Sequence, residues 1–558
     1  MGVSSRTRSY ILKPWYFSYW TICAGCALLF VSYLSLRQRG GVLDEDIWLH
    51  QQQQQLPPIS ITGTRHVEGN IWGGYWQVDT TFSAPPTPPT AREVRPGPWK
   101  GSCHDLAAKA PQPFSELYMP RHAPASALPG GAPRAWHQWA GNISWADFQE
   151  QATPRLAGRR KKRVIKYKVI GNQLYRHGGC GSSLYSQFAE EMMLVALHLF
   201  DVPDTDFALQ FGDSCPFPGM PVIAWGICRN NTGRGGFTMP SYRTWQHALG
   251  PQQQQVLHQC FAARYPTDMS QRVPDVVWRG STTDPFFEEF NKSTYLQAAR
   301  VRLHYMSRNS TVLNTHLTGI LQATRDVEGI LGPTLAKEMP GEDAMKHAAI
   351  IDLDGNGWSD RFHTLTHYNT PVLKQVSNFT GFFEHLIAPG HSLHQFANDL
   401  SDLEEKAQAL VRAAHTPGGA DHLFSQAARR QGISAAVLNQ VAVAEAMAYT
   451  ITAYANRTSW KVGSSTAYHA IPWTACCRLN PSLPKELVRH IRSRPPPPSM
   501  YQLRAAGLQP GPEGDSTQAI HLRIVTRLEE LRHRTFYPYL WETFWSIVKH
   551  LKAFLPFL

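Results

Sequence analysis

Cysteine is scarce in this chain: 558 residues hold nine. Two of them, Cys23 and Cys26, lie inside an uncharged apolar run. The other seven (Cys103, Cys180, Cys215, Cys228, Cys260, Cys476 and Cys477) include no Cys-x-x-Cys pair, so no zinc module is indicated. Their odd number leaves one unpaired within the chain, and one or two disulfides in an oxidising compartment are expected. Charge is sparse too, at 17% against 42% hydrophobic residues, as in a globular body with flexible additions. The apolar run, Trp15–Leu36, has 22 residues and no charge, enough to span a bilayer. Trp15, Tyr16, Tyr19, Trp20 and Tyr33 suit its interfaces. No small-residue cleavage site follows, so the run reads as an uncleaved signal-anchor. Basic residues flank both ends (Arg6, Arg8 and Lys13; Arg37 and Arg39), so charge alone does not orient it.

The net charge is +12, part of it in the run Arg159–Arg163. Such a run can bind nucleic acid, but a membrane-anchored chain keeps it from a nuclear role, and it reads as a solvated linker. Asn142, Asn230, Asn291, Asn309, Asn378 and Asn456 each open an Asn-x-Ser/Thr sequon, compatible with a lumenal body. Composition then divides the chain. Residues 1–14 form a basic tail, 15–36 the anchor, and 37–160 a Gln- and Pro-rich stalk. The folded body begins near Val164 with a strand and hairpin, VIKYKVIGNQLYR, and an amphipathic helix over 182–200. Phe207–Phe211 is a strand broken at Gly212-Asp213-Ser214, and Val222–Trp225 its neighbour. The Gln run 252–255 is expected at the surface. Helices are expected after Leu400, and the aromatic tail 536–558 reads as a helix on the body or at a membrane surface.

The most informative stretch is Ala348–Lys374, AAIIDLDGNGWSDRFHTLTHYNTPVLK. It reads as strand, Gly-rich loop, helix from about Ser359 to Tyr368, then strand. Gly355 and Gly357 permit a tight loop with outward N–H groups, Ser359 can cap the helix, and Arg361 adds a bidentate fork. Such a loop suits a diphosphate. Other readings compete. Asp352, Asp354, Asn356 and Gly357 fit the first half of an EF-hand, but His363 stands where the bidentate Glu is required. Asp352-x-Asp354 could hold Mn²⁺ on a nucleotide sugar, or the whole could be a surface turn.

Asp275–Arg300 repeats the design. Val276–Trp278 is strand-like, Arg279-Gly280-Ser281-Thr282-Thr283 a small-residue turn, and Ser293 is expected to cap a helix bearing Arg300 and Arg302. Two strand–loop–helix units thus bring Gly, Ser and Arg to the carboxyl ends of strands, where open α/β sheets bind ligands.

VVWRGSTTD, Arg300-Val-Arg302-Leu, IIDLDGNGWSDRF, PVLKQ and DLSDLEE, in this order, resemble the family-90 glycosyltransferases over about residues 165–460. That family includes protein O-glucosyltransferases of the endoplasmic reticulum and fungal capsule-associated xylosyltransferases. The resemblance implies an α/β, GT-B-like fold: two Rossmann-like domains facing across a cleft. Residues 161–270 would be the acceptor domain, 271–475 the UDP-sugar domain and 476–558 an extension. It implies inverting transfer of a sugar, glucose or xylose, from a UDP-sugar to a hydroxyl of a glycan or protein, with Asp213 as base. On the donor it implies Arg279, Gly280 and Ser281, then Arg300 (or Arg302), Leu353 beside the uracil, and Asn356, Gly357, Trp358, Ser359, Asp360 and Arg361 around the diphosphate and sugar. Arginines would neutralise the departing UDP, so no metal cofactor is required, and Mn²⁺ would at most stimulate.

Two departures from the family are visible. Pro389-Gly390-His391-Ser392-Leu393 replaces a Pro-Trp-x-His-Tyr segment, and no second Cys accompanies Cys180. The combined expectation is a single-pass Golgi or reticulum enzyme with a lumenal body. A non-catalytic calcium- or glycan-binding lumenal protein is the alternative.

Overall fold

In the computed structural model the described residues are 101–511, apart from 113–117, 125–136, 140, 152–162, 179–182, 214–215, 217–219, 230–233, 286, 288 and 466. All belong to one compact unit, Arg95–Leu558. The expected tail, anchor, most of the stalk, the aromatic tail 536–558, Cys180, Cys215 and Asn230 lie outside the described residues. Among the described residues no helix is long and apolar enough to cross a membrane.

The strands, in chain order, are β1 Arg121–Pro124, β2 His137–Trp139, β3 Arg163–Ile170, β4 Gln173–His177, β5 Phe200–Asp201, β6 Thr205–Phe211, β7 Ile223–Ala224 and β8 Ile227–Cys228. There follow β9 Arg234–Thr238, β10 Val273–Ser281, β11 Leu313–Gly319, β12 His347–Asp352, β13 Val372–Gln375, β14 Phe379–Thr380, β15 His394–Phe396 and β16 Tyr468–Ala470. A seven-stranded sheet runs β16-β4-β3-β6-β7-β9-β2, and a five-stranded sheet runs β11-β10-β12-β13-β15. Every pairing in the second is parallel. Its strands are buried on both faces, which is why they read as continuous apolar runs. Val276, Trp278, Ala349 and Ile351 point into one core with Leu403, Ala407 and Leu410. Val277 and Ile350, one residue out of phase, point into the other.

The first sheet is mixed, which departs from the expected Rossmann-like half. The β3–β4 hairpin is antiparallel, as is the β16 strand laid on β4. Helix Gln440–Ala455 packs against helix Leu184–Leu199 and β6, because its small Ala face permits close approach. The chain after 440 therefore returns to the first half of the molecule.

The expected stalk carries structure within its described part. Helix Cys103–Lys109 is tied to helix Pro251–Arg264 by the Cys103–Cys260 disulfide. Cys476–Cys477 form a second disulfide, and Cys228 is also disulfide-bonded. The Gln run 252–255 is helical, with Gln253 and Gln254 buried, since Gln253 closes the helix start by accepting from the Gly250 N–H.

His198, on helix Leu184–Leu199, is 8% exposed, and neither ring nitrogen has a hydrogen-bond partner among the described residues. Burial, with help from the Arg494 and His490 charges, pushes it down to about 4. A depressed folded value means that the unfolded chain takes up the proton first. Its contribution is therefore complete above the ordinary value of 6.5 and is lost as pH falls toward 4. His198→Leu is expected to flatten the acid limb of stability, gaining about 2 kcal/mol over the natural protein at pH ~5 relative to neutral pH. Denaturant titrations at the two pH values measure it; equal slopes for both proteins would refute it.

Candidate functional site

Because β10 and β12 are adjacent and parallel, the two nominated loops leave the sheet at the same edge. Arg300, on helix Ala299–Met306, joins them. Its Nε donates to the Asp354 carbonyl (2.7 Å), Nη2 to the Leu353 carbonyl (3.1 Å), and Nη1 to the Thr283 hydroxyl (2.7 Å) and the Ser281 carbonyl (3.3 Å). Burial, and then the neighbouring Arg361, lower it to about 10, so it stays charged at neutral pH. Arg300 spends most of its donors on backbone, which makes it a clamp between loops. Ser293 does not cap this helix. A 3₁₀ turn, Tyr295–Gln297, intervenes, and the Ala299 N–H finds Asp284 at 3.4 Å. Arg302 points elsewhere, toward the Asp399 carbonyl.

The expected turn begins later than Arg279, which is still in β10, and the Arg279 side chain turns along the sheet to Asn314 on β11, at 2.7 and 2.8 Å. Its carbonyl faces the site and accepts from Arg361 Nη1 at 2.7 Å. Arg361 Nε is buried with no hydrogen-bond partner among the described residues. Arg302 Nε is buried in the same way, but that side chain turns toward Asp399, so of the two only Arg361 carries its unused donor beside the two loops.

The acidic pair at the root of the second loop is structural. Asp352 is fully buried and accepts from Lys374 Nζ at 2.8 Å and from the Ser359 hydroxyl at 2.5 Å. Ser359 is therefore occupied and caps nothing, and the expected helix 359–368 shrinks to Phe362–Leu365. Asp354 accepts from Ser377 at 2.5 Å, and burial raises it to about 7 against the pull of Lys374. Glu384 lies 3.8 Å from the same lysine. With an ammonium already on Asp352, the EF-hand reading of this loop fails. Among the described residues no cluster of His, Cys, Asp or Glu has a metal-binding arrangement.

Asp213 faces this loop from the end of β6 and is exposed. Asn356 Nδ2 reaches its Oδ2 at 3.5 Å. A Cβ on Gly357 would fall 1.7 Å from the Asp213 carbonyl oxygen, so only glycine lets the loop approach the end of β6. Trp358 lies across Gly226 in the same way, with its ring 2.3 Å from where a Cβ would stand. Asp360 accepts from Ser241 at 2.5 Å and is 3.6 Å from Arg243 Nε. β14 pairs with β8 and stitches the segment after β13 to the opposite wall. Gly357→Ala is expected to push the loop off Asp213 and lower turnover at least ~10-fold with little change in global stability. Steady-state kinetics with a thermal melt would check it; unchanged turnover refutes the close fit.

The structure thus brings Asp213, the Asn356–Arg361 loop, Ser281 and Arg300 together, and sends the Arg279 side chain away. Leu353 is fully buried, so it reaches a ligand only by its backbone, which Arg300 already holds. Lys374 and Arg243 are participants not nominated above. Lys374 had a signal, a charge closing an apolar strand, which demands a buried partner. Arg243 had none nearby in sequence.

Behind helix Phe362–Leu365 lies a cavity of about 260 Å³ lined by His104, His247, His363, His367, Phe261 and Tyr368, among others. Burial holds His247, His363 and His367 below the ordinary imidazole value.

No protein-family model matches the chain. It is 24% identical over 265 residues to "Protein O-glucosyltransferase 3" of Rattus norvegicus, a match covering 46% of this chain and 48% of that protein. The proteins of the same name from Homo sapiens and Mus musculus match at 24% identity over the same length. The chain spans about half the length of the curated relatives it matches.

Proposed function

We propose that this protein is a glycosyltransferase that moves a sugar, glucose or xylose, from a UDP-sugar to a hydroxyl of a glycan or protein. The observation that carries the reading is the placement of Asp213, an exposed carboxylate at a strand end, against the Asn356–Arg361 loop. The names of the curated relatives support it.

Asp213 takes the proton of the acceptor hydroxyl as that oxygen attacks the anomeric carbon. The bond from that carbon to the β-phosphate oxygen breaks, and its electron pair leaves with UDP. Attack opposite the leaving group inverts the anomeric centre. The Arg361 fork, anchored on the Arg279 carbonyl, meets the charge growing on UDP. Arg300 keeps the two loops at the register this requires. Asp352 and Asp354 serve the loop from beneath, so the charge on UDP is met without them. The segment Trp15–Leu36 would tether this body inside the Golgi or endoplasmic reticulum.

Calorimetric titration of the full chain with UDP, and separately with Ca²⁺, tests the reading, followed by a panel of UDP-sugars. UDP binding with transfer or slow hydrolysis of one donor is expected. Tight Ca²⁺ binding without UDP binding would sink it.

A further inference from the structure

The candidate site continues past Asp213 as a row of aromatic rings. Trp358 of the loop meets Trp225 edge-on at 6.4 Å. Trp225 meets Tyr242 at 5.2 Å and Tyr185 at 5.3 Å, and the two tyrosines lie 4.7 Å apart. Tyr185 is 43% exposed, a large ring left in water at the outer end of the row; Tyr242 beside it is half-buried, and Trp225 is buried beneath them. Exposed rings joined to a reactive site are natural platforms for the C–H faces of sugar rings, which bury apolar area without losing their hydroxyl hydrogen bonds.

At the edge of this shelf stands Arg243, with its side chain 53% exposed. Its Nε donates to the Tyr242 hydroxyl at 2.9 Å, and Asp360 lies 3.6 Å away. These two contacts fix the plane of the fork, and its Nη groups make no hydrogen bond among the described residues. The Asp213 carboxylate is close enough to act on the Arg243 charge. A cation fixed beside both the candidate base and an aromatic shelf has a use that the donor does not supply. The donor phosphates have Arg361, which is held on the Arg279 carbonyl.

We propose that the Tyr185–Tyr242 shelf, backed by the buried Trp225, forms with Arg243 an acceptor subsite for an acidic saccharide, a glycan whose stacked ring bears a uronate carboxylate. The planar guanidinium fork matches a carboxylate in two parallel hydrogen bonds, and the shelf holds the ring that carries it. The inference rests on the glycosyltransferase reading above and names the acceptor class for it.

The test uses the full chain, the UDP-sugar found active in the donor panel, and two matched acceptors, 4-nitrophenyl β-D-glucuronide and 4-nitrophenyl β-D-glucoside. The natural protein is expected to favour the glucuronide in kcat/KM by about tenfold or more. Arg243→Gln is expected to erase that ratio while the KM for donor stays the same. Tyr185→Ala is expected to raise KM for both acceptors. Equal use of the two acceptors by the natural protein overturns the proposal, as does hydrolysis of donor with transfer to neither. An Arg243→Gln protein with raised donor KM and an unchanged acceptor ratio overturns it too, and assigns the arginine to the diphosphate. Absence of both UDP binding and donor hydrolysis would instead strike the parent reading.

Discussion

Asp213→Asn is expected to lower sugar transfer by about 10²- to 10⁴-fold, the usual contribution of a positioned general base. The change keeps the side chain's size and removes its capacity to accept a proton. Asp213 is exposed and its contact to Asn356 is long, at 3.5 Å, so folding does not depend on its charge. Affinity for UDP should stay within about twofold, because the carboxylate addresses the acceptor and not the diphosphate. Single-turnover rates beside UDP titrations separate the two effects. Equal transfer by the variant would remove Asp213 from the chemistry and leave the loop without a base.

Lys374→Met is expected to cost about 3–5 kcal/mol of stability, the penalty for leaving a buried ion pair with one partner. Lys374 sits among three carboxylates. Asp352 is 2.8 Å away and Glu384 3.8 Å, and the buried Asp354 also acts on its charge. Burial alone would lower the lysine, yet the Asp352 and Glu384 charges outweigh it and hold the ammonium above its ordinary value. Without that ammonium the carboxylates face one another in a dry site, and burial then drives them to take up protons. The deficit should therefore shrink as pH falls from ~8 to ~5, since the folded variant binds protons that the unfolded chain does not. Denaturant titrations across that range give both the cost and its slope. A deficit that is absent at pH ~8, or that grows in acid, contradicts the buried cluster. The same variant should weaken UDP binding, because the loop root at Asp352 and Ser359 loses its anchor.

Much of the site could be read directly. The apolar runs at Val276–Trp278 and Ala348–Ile351 are strands, and the Gly-rich loop follows the second where expected, while Arg279–Ser281, read as a turn, continue β10 in register with β11. The helix over Leu184–Leu199 and the β3–β4 hairpin are equally local in origin. Other local signals are overridden by distant partners. Ser359 and Ser293 look like helix caps, yet one hydroxyl is claimed by Asp352, and a 3₁₀ turn separates the other from its helix. The Gln run looked exposed, but Gln253 is needed to close a helix start. The stretch 37–160 reads as an irregular stalk because a disulfide, and not a periodic apolar face, fastens its first described helix.

The amino-acid sequence by itself determined which segments are strands and turns, and which loops carry Gly, Ser and Arg. Those preferences come from side-chain period and backbone freedom over a few residues. Only the tertiary structure decided what each charge is for. Placing β10 beside β12 lets Arg300 clamp two loops and leaves the Arg361 fork an unused donor. Lys374 closes on Asp352 across 22 residues, and Asp213 meets Asn356 across 143. A charged side chain has no preferred partner along the chain. Its role is set by which strand the sheet places next to it and by how much water that placement removes.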